Sequence, residues 1–230
     1  IDNSLTLVRD RLGIKPLFYA KRDGLFYFSS ELKGIVNYPD FEKNPNMRAI
    51  SNFLSYRTVF GEETLFDGVY TLLPGYYIHI KKDELKTIQY WDIDWKSLKK
   101  NKVTANEVKK MVNDSIDKCL VSDVKVASLL SGGLDSSIIA GVASKKSEDL
   151  LTYTVKFDSK GFDETKYSDL VAKNFGVLNK KITVKPKEYL NNIKEYTKFK
   201  DQPAGMHNEI AMYLMMKVIN KDASVVLSGE

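Results

Sequence analysis

The chain has 230 residues, of which 43% are hydrophobic and 28% charged, a composition typical of one large or two ordinary globular domains and unlike that of a disordered chain. No apolar stretch approaches the ~20 residues that cross a bilayer, and there is no cleavable signal pattern, although the chain begins with Ile1 rather than Met. A single cysteine, Cys119, excludes an internal disulfide, which fits a reducing cytosol, so we expect a cytoplasmic protein. Because no long apolar stretch is present, we expect no membrane partner. The net charge of +5 is mild and the lysines are scattered, which favours a solvated surface over a nucleic-acid-binding face.

The N-terminal part of the chain contains short alternating apolar segments separated by turns, a pattern typical of β-strands. Strands are predicted over residues 5–8, 17–20, 25–29, 75–81 and 85–90, with a hairpin turn at 21–24 and short helices at 31–36 and 48–56. The polar, lysine-rich residues 96–104 then predict a linker.

After the linker the pattern changes to helices and strands in alternation. A helix is predicted over residues 107–120, with Thr104 and Glu107 at the spacing of a capping box, and Cys119 is interpreted as a small apolar packing residue in it. Further strands and helices are predicted at residues 124–130, 136–146, 151–157, 164–175, 180–184, 186–199, 209–220 and 224–227. This alternation predicts an α/β fold with a doubly wound parallel sheet, whose ligands lie beyond the C-terminal strand ends. We therefore expect one cleft to collect residues 131–137, 155–157, 202–208 and 228–230.

The most informative segment is Leu-Leu-Ser-Gly-Gly-Leu-Asp-Ser-Ser at residues 129–137, between a predicted buried strand and a predicted helix. Its two glycines let the backbone turn tightly and approach a ligand, and the hydroxyls and N–H groups at the helix start form an anion site. Asp135 would repel a bare phosphate, so its presence predicts a Mg²⁺ ion shared with phosphates. For two glycines alone, an ordinary strand-to-helix turn would be the simpler interpretation.

The complete string resembles the pyrophosphate-binding loop of the ATP pyrophosphatase (PP-loop) family, Ser-Gly-Gly-hydrophobic-Asp-Ser-Ser. It differs from a Walker A loop, which ends in Gly-Lys-Ser/Thr, and from the Gly-x-Gly-x-x-Gly of a dinucleotide fold. The resemblance implies that ATP is cleaved between its α- and β-phosphates to adenylate a carboxylate or amide oxygen.

A second resemblance covers the N-terminal part of the chain. Residues 9–19 read Arg-Asp-Arg-Leu-Gly-Ile-Lys-Pro-Leu-Phe-Tyr, and shorter segments follow at 28–33, 64–69 and 73–77. In order, these four segments resemble parts of the class II glutamine amidotransferase domain of asparagine synthetase-type enzymes. The N-terminal cysteine nucleophile and the glutamine-holding segments of that family are not in this sequence, and Cys119 cannot replace the nucleophile from within a helix. We therefore expect a fragment that opens partway through the glutaminase domain and does not hydrolyse glutamine by itself.

The predicted domain organisation follows from both resemblances. Residues 1–97 would be the end of the amidotransferase domain, a β-rich piece of an N-terminal-nucleophile hydrolase αββα fold, and residues 98–230 a truncated ATP-pyrophosphatase domain.

The resemblance implies an ATP site made by Leu129, Ser131, Gly132, Gly133, Asp135, Ser136, Val155, Ser228 and Gly229, with Asp135 as the Mg²⁺ ligand. Glu230 would contact the activated substrate, and His207 stands where a residue holding the substrate carboxylate is expected. Leu129 and Val155 would be core residues in any sheet, and a lone loop histidine is more often a surface residue.

The implied activity is glutamine-dependent asparagine synthesis by a carbon–nitrogen ligase. ATP and Mg²⁺ would activate the β-carboxylate of aspartate as an acyl-adenylate, and ammonia from glutamine would convert it to asparagine. A homodimer is compatible with the resemblance.

Three alternatives stay open: a relative that amidates a sugar acid or peptide or closes a lactam, a PP-loop enzyme that modifies tRNA, and a non-catalytic nucleotide-binding protein. The segments at 9–19 and 28–33 disfavour the second.

Overall fold

The computed structural model describes residues 3–82, 84–96, 103–147, 149–158 and 165–229. The chain divides into two compact units, the first made of Ile1–Lys99 with Thr197–Met206 and the second of Lys100–Tyr196 with His207–Glu230. The predicted domain boundary, between residues 97 and 98, falls outside the described residues and stays a prediction.

The first unit is built mainly from short strands, which the alternating sequence pattern predicted. Its elements are β1 (Ser4–Val8), β2 (Phe18–Arg22), β3 (Leu25–Ser29), α1 (Lys33–Val36), α2 (Met47–Tyr56), β4 (Tyr70–Thr71), β5 (Tyr76–Lys81) and β6 (Glu84–Gln89). They form two antiparallel sheets, with strand orders β1-β5-β6 and β3-β2-β4. Strand β4 was not predicted, because two residues are too few to show an alternating apolar pattern.

Alternation along β2 explains how this unit is layered. Tyr19 packs with Leu72 and Ile78 in a core between the two sheets, whereas the next residue, Ala20, packs with Ile35 of α1 on the other face. The result is a helix, a sheet and a second sheet in successive layers, as expected for part of an αββα fold. The hairpin turn is tighter than predicted, because Arg22 still pairs with its neighbour across the turn and only Asp23 and Gly24 have positive φ.

The second unit contains a four-stranded parallel sheet with the order β10-β7-β8-β9. Its elements are α3 (Ala105–Leu120), β7 (Val126–Leu129), α4 (Leu134–Ala143), β8 (Leu151–Phe157), α5 (Thr165–Phe175), β9 (Leu178–Val184), α6 (Pro186–Lys200), α7 (Glu209–Ile219) and β10 (Val225–Leu227). Helix α6 runs from this unit into the residues assigned to the first unit.

Helices cover both faces of this sheet. On one face, Tyr153 of β8 packs against Met215 and Ile219 of α7. On the other, Leu130 packs against Ala140 of α4 and Ala172 of α5. The predicted fold class, α/β with a parallel sheet, is therefore confirmed. Within the described part of the chain, no helix is both long and apolar enough to cross a bilayer.

Helix α3 confirms one prediction and corrects another. The capping box is present, since Thr104 Oγ1 accepts from Glu107 N at 3.3 Å and Glu107 Oε2 accepts from Thr104 N at 2.8 Å. Cys119 is exposed, however, so its interpretation as a packing residue was wrong. Helix α3 packs through the row of Val112, Ile116 and Leu120, which are spaced four residues apart, and this row leaves Cys119 on the solvent side.

Candidate functional site

The loop between β7 and α4 makes a tight turn at the carboxyl edge of the parallel sheet. Gly132 has a φ of +85°, and a Cβ atom there would lie 2.5 Å from Tyr167 Cβ and 2.6 Å from Ser168 N of α5. Both the left-handed backbone and the lack of space require glycine at this position. The loop is thereby seated directly on helix α5.

Helix α4 begins immediately after this turn, with Gly133 as its N-cap and no side chain capping it. The first-turn N–H groups of an α-helix have no intrahelical acceptor, and the helix dipole makes this end positive. Leu134, Asp135 and Ser136 supply those groups here. An uncapped helix start of this kind is suited to an anion such as a phosphate.

Three serine hydroxyls brace the loop internally. Ser131 Oγ lies 2.9 Å from Ser136 Oγ and accepts from Gly133 N at 3.2 Å. Ser137 Oγ donates to Gly133 O at 2.6 Å. Ser136 is buried beneath the loop surface, whereas Ser131 and Gly133 are exposed and stay accessible to a ligand.

The end of β10 closes one side of this surface. Ser228 and Gly229 line a cavity of about 150 Å³ together with the loop. A Cβ atom at Gly229 would lie 2.9 Å from Ser136 N and 3.0 Å from the Asp135 carbonyl carbon, so only glycine allows this approach. The cavity is smaller than the ~300–1,000 Å³ of sites that enclose a whole ligand. Its size suits a part of a nucleotide such as a phosphate group.

Asp135 lines the cavity and is exposed. Among the described residues, no three His, Cys, Asp or Glu side chains lie together as a metal-binding group. A single carboxylate is a poor site for a metal held by protein alone. It fits Mg²⁺, which is commonly bound by one or two carboxylates together with substrate phosphates and water. The donor set is thus compatible with a phosphate-bound Mg²⁺.

The structure brings most of the predicted ATP-site residues together. The residues that line the cavity are Leu129, Ser131, Gly133, Leu134, Asp135, Ser136, Ser228 and Gly229. Gly132 lies beside it, against α5. Leu134 was missed by the sequence reasoning, although it is the hydrophobic position of the loop motif.

Two predicted residues lie elsewhere, and a third lies outside the described residues. Val155 packs in the core between β8 and α7 and does not line the cavity. His207 lines a separate cavity of about 470 Å³ in the second unit, at the ends of β8 and β9. Neither residue lines the cavity at the loop, and their part in binding ATP or substrate stays a prediction. Glu230 is not among the described residues.

The larger cavity has a mostly apolar lining. Its apolar and aromatic residues are Phe157, Val184, Pro186, Tyr189 and Leu190, and its polar ones are Asp158, Lys185, His207 and Asn208. Tyr189 donates its hydroxyl to the backbone oxygen of His207 at 2.8 Å. This bond ties the start of α6 to the residues just before α7 at the cavity wall.

The Arg-Asp motif of the first unit has a structural role. Arg9 donates to the backbone oxygens of Leu72, at 2.5 Å, and Gly13, at 3.0 Å. Asp10 accepts from the backbone nitrogens of Ile14 and Leu12, both at 3.1 Å, and these bonds hold the pKa of its carboxyl below the ordinary value. The two side chains fix the loop after β1.

Comparisons with known proteins agree with both resemblances. The family model described as Asparagine synthase matches residues 107–230, and the model described as Glutamine amidotransferase domain matches residues 1–91. Asparagine synthetase [glutamine-hydrolyzing] 3 of Bacillus subtilis is 30% identical over 99% of this chain and 40% of its own length. Asparagine synthetase [glutamine-hydrolyzing] 1 of the same organism is 32% identical over 100% of this chain and 36% of its own length.

A solved NH3-dependent NAD synthetase from Campylobacter jejuni aligns with 56% of this chain and 58% of its own, at 16% identity and a TM-score of 0.41, a likeness too weak to support an inference. The chain spans 36–40% of the length of the two Bacillus subtilis relatives. One family model covers more than half of it, and both relatives match along nearly all of it. The chain belongs to the asparagine synthase family.

Proposed function

We propose that the natural protein containing this chain is a glutamine-hydrolysing asparagine synthetase. It uses ATP to activate the β-carboxylate of aspartate with release of pyrophosphate, and ammonia derived from glutamine then forms asparagine. The observation that carries this proposal is the uncapped start of α4, closed on one side by Gly229, in a chain whose relatives bear this name. These relatives are longer than the chain, so the proposal concerns the whole protein.

The loop residues would act on the phosphates of ATP. The N–H groups at the start of α4 and the Ser131 hydroxyl bind the departing pyrophosphate and stabilise its negative charge as it develops. Mg²⁺, when bound, neutralises part of that charge, and Asp135 holds it in place. Leu129, Ser228 and Gly229, which line the same cavity as the loop, would flank the adenosine. Glu230 contacts the activated carboxylate, and Val155 supports the base from the core.

The first unit would belong to the glutaminase half of the protein. It matches the amidotransferase model, and its Arg9 and Asp10 brace the loop after β1. Ammonia for the second step then comes from a glutamine site that the rest of that domain completes. A cytoplasmic location and a homodimer stay predictions.

A second candidate function is favoured by the cavity that contains His207. Its lining of Phe157, Val184, Tyr189 and Leu190 is more apolar than aspartate requires. A relative that amidates a larger carboxylate with an apolar part would use such a cavity for the body of its substrate. His207 and Lys185 would then hold an anionic group of that substrate.

An acceptor panel separates the two candidates. The full-length natural protein is incubated with ATP, Mg²⁺ and glutamine, and with aspartate, a sugar acid or an N-acylated amino acid. Pyrophosphate release is followed enzymatically and the amide product by mass spectrometry. Release that depends on aspartate, with asparagine as product, supports the proposal. Release only with a larger acid supports the second function, and no release with any acceptor argues for a non-catalytic protein.

A further inference from the structure

A cluster of polar side chains, three of them buried and one half-buried, lies beneath the loop, between β8, β9 and α5. Its members are Thr152 and Thr154 of β8, Ser168 of α5 and Asn179 of β9. Thr152, Thr154 and Ser168 are at most 4% exposed. None of the four lines the cavity at the loop. Apolar side chains could fill this space without any need for hydrogen-bond partners, so the polar residues call for an explanation.

Thr154 acts on the point where the chain leaves the sheet. Paired residues of β7 and β8 end at Leu129 and Tyr153. Leu130, the next residue, still donates its N–H to Tyr153 O at 2.8 Å, and its carbonyl accepts from the Thr154 hydroxyl at 2.5 Å. A side chain therefore holds the last residue before the loop, one position beyond the paired strand residues.

Asn179 lies between this point and the surface on which the loop rests. Its Oδ1 atom lies 3.0 Å from Thr154 Oγ1, and its Nδ2 donates to Ser168 Oγ at 3.3 Å. Ser168 belongs to the part of α5 against which Gly132 is seated, because a Cβ at Gly132 would lie 2.6 Å from Ser168 N. The Asn179 amide thus lies between the support at the start of the loop and the support under its turn, while the single hydroxyl proton of Thr154 goes to Leu130 O.

We infer that Thr154 is a positioning residue for the phosphate-binding loop, acting through Leu130. This inference rests on the proposed function for its catalytic consequence. Displacement of a catalytic group by about 1 Å can cost on the order of a hundredfold in rate, so a support of this kind has a measurable effect. A residue that does not touch ATP can therefore change the rate by moving the loop that does.

The test compares threonine variants of similar shape in the full-length natural protein. Thr154→Val removes the hydroxyl that holds Leu130, and we expect kcat/KM for ATP to fall by about tenfold while KM for the carboxylate acceptor changes less than about twofold. Thr154→Ser keeps the hydroxyl and should stay within about threefold of the wild type. The matched control is Thr152→Val, on the same face of β8, because its hydroxyl bonds to Leu178 O and Asn179 but not to Leu130.

A second measurement does not depend on catalysis. Amide hydrogen exchange at residues 131–133 should accelerate about tenfold in Thr154→Val, and not in Thr152→Val, because local opening of the loop becomes easier. Equal effects of Thr154→Val and Thr152→Val on both measurements would overturn the inference and leave the cluster a purely structural one. If no variant and no wild-type protein releases pyrophosphate, the proposed function fails, and the exchange experiment still decides whether Thr154 positions the loop.

Discussion

Gly229 lies so close to the start of α4 that a Cβ atom on it would come within 2.9 Å of the backbone nitrogen of Ser136. That nitrogen belongs to the first helical turn, whose N–H groups are available to an anion. The strand end and the helix start are therefore two walls of one small cavity, and each limits the position of the other.

We expect Gly229→Ala to weaken ATP binding by about tenfold or more, because the added methyl group pushes β10 and the first turn of α4 apart. Isothermal titration of the full-length protein with ATP and Mg²⁺ measures the change. Gly176→Ala is the control: a Cβ there meets no atom within 4 Å, but φ is +66°. It should lower the free energy of unfolding by about 1–2 kcal/mol without changing ATP affinity. Unchanged affinity in Gly229→Ala would contradict the proposed location of the nucleotide.

The capping box at the start of α3 gives a prediction about stability. Thr104→Ala removes the side chain that accepts from Glu107 N, and it should cost about 1 kcal/mol of unfolding free energy, measured by urea denaturation. Ser115→Ala, at an exposed position of the same helix, is the control and should change stability by less than about 0.5 kcal/mol.

The same box should make stability depend on pH. The backbone N–H of Thr104, followed by its hydroxyl, lowers the pKa of Glu107 from its ordinary value of 4.5. Because the folded pKa is the lower one, the stabilisation is complete above the ordinary value and is lost as the pH falls through the lowered pKa. The difference between Glu107→Gln and the wild type should therefore shrink in acid, and a difference that grows in acid would contradict this account.

A buried tyrosine predicts that the free energy of unfolding falls at alkaline pH. Tyr153 is 0% exposed, and its hydroxyl donates to Asp222 Oδ2 at 2.6 Å, beside Lys180. Burial, reinforced by Asp222, raises the pKa of Tyr153 to about 12. The protonated form is the one that the fold stabilises, so its contribution is complete below the ordinary pKa of 10.0 and is lost as the pH rises through about 12.

Tyr153→Phe should accordingly lower the free energy of unfolding by about 2 kcal/mol at neutral pH, since a hydrogen bond to a charged group is lost. That difference should shrink between pH 10 and 12, which denaturation at several pH values will show. Tyr167→Phe, with an exposed hydroxyl-bearing ring on α5, is the control and should cost less than about 0.5 kcal/mol. A cost that stays constant between neutral pH and pH 12 would contradict the raised pKa of Tyr153.

Local patterns were sufficient to predict most elements of the fold. The Thr104–Glu107 spacing located the start of α3, and the strand predicted at residues 151–157 is β8 itself. Which face of α3 is buried could not be predicted as well, because several of its rows of apolar residues could pack against the core. Only the row containing Ile116 is covered, and Cys119 remains exposed. The sequence of a helix does not specify which part of a broad apolar stripe its neighbours cover.

The site was predictable where it consists of one contiguous motif, and less so where it depends on tertiary contacts. The loop and Gly229 meet as expected, whereas Val155 points into the core and His207 lines a different cavity. A parallel sheet offers several strand ends at one edge, and sequence does not say which side chains there share a cavity. The contact between Thr154 and Leu130 depends on the register between β7 and β8, which is a tertiary relationship that neither strand's own sequence states.

The measurement that tests the central claim most directly is the identity of the products formed from ATP. The full-length natural protein is incubated with ATP, Mg²⁺, glutamine and aspartate, and the phosphorus-containing products are resolved by ³¹P NMR. We predict AMP and pyrophosphate in equal amounts, dependent on aspartate, nearly absent in Asp135→Asn and unchanged in the exposed control Asp123→Asn. Formation of ADP and phosphate, or undiminished pyrophosphate release by Asp135→Asn, would contradict the assignment of the loop at residues 131–137.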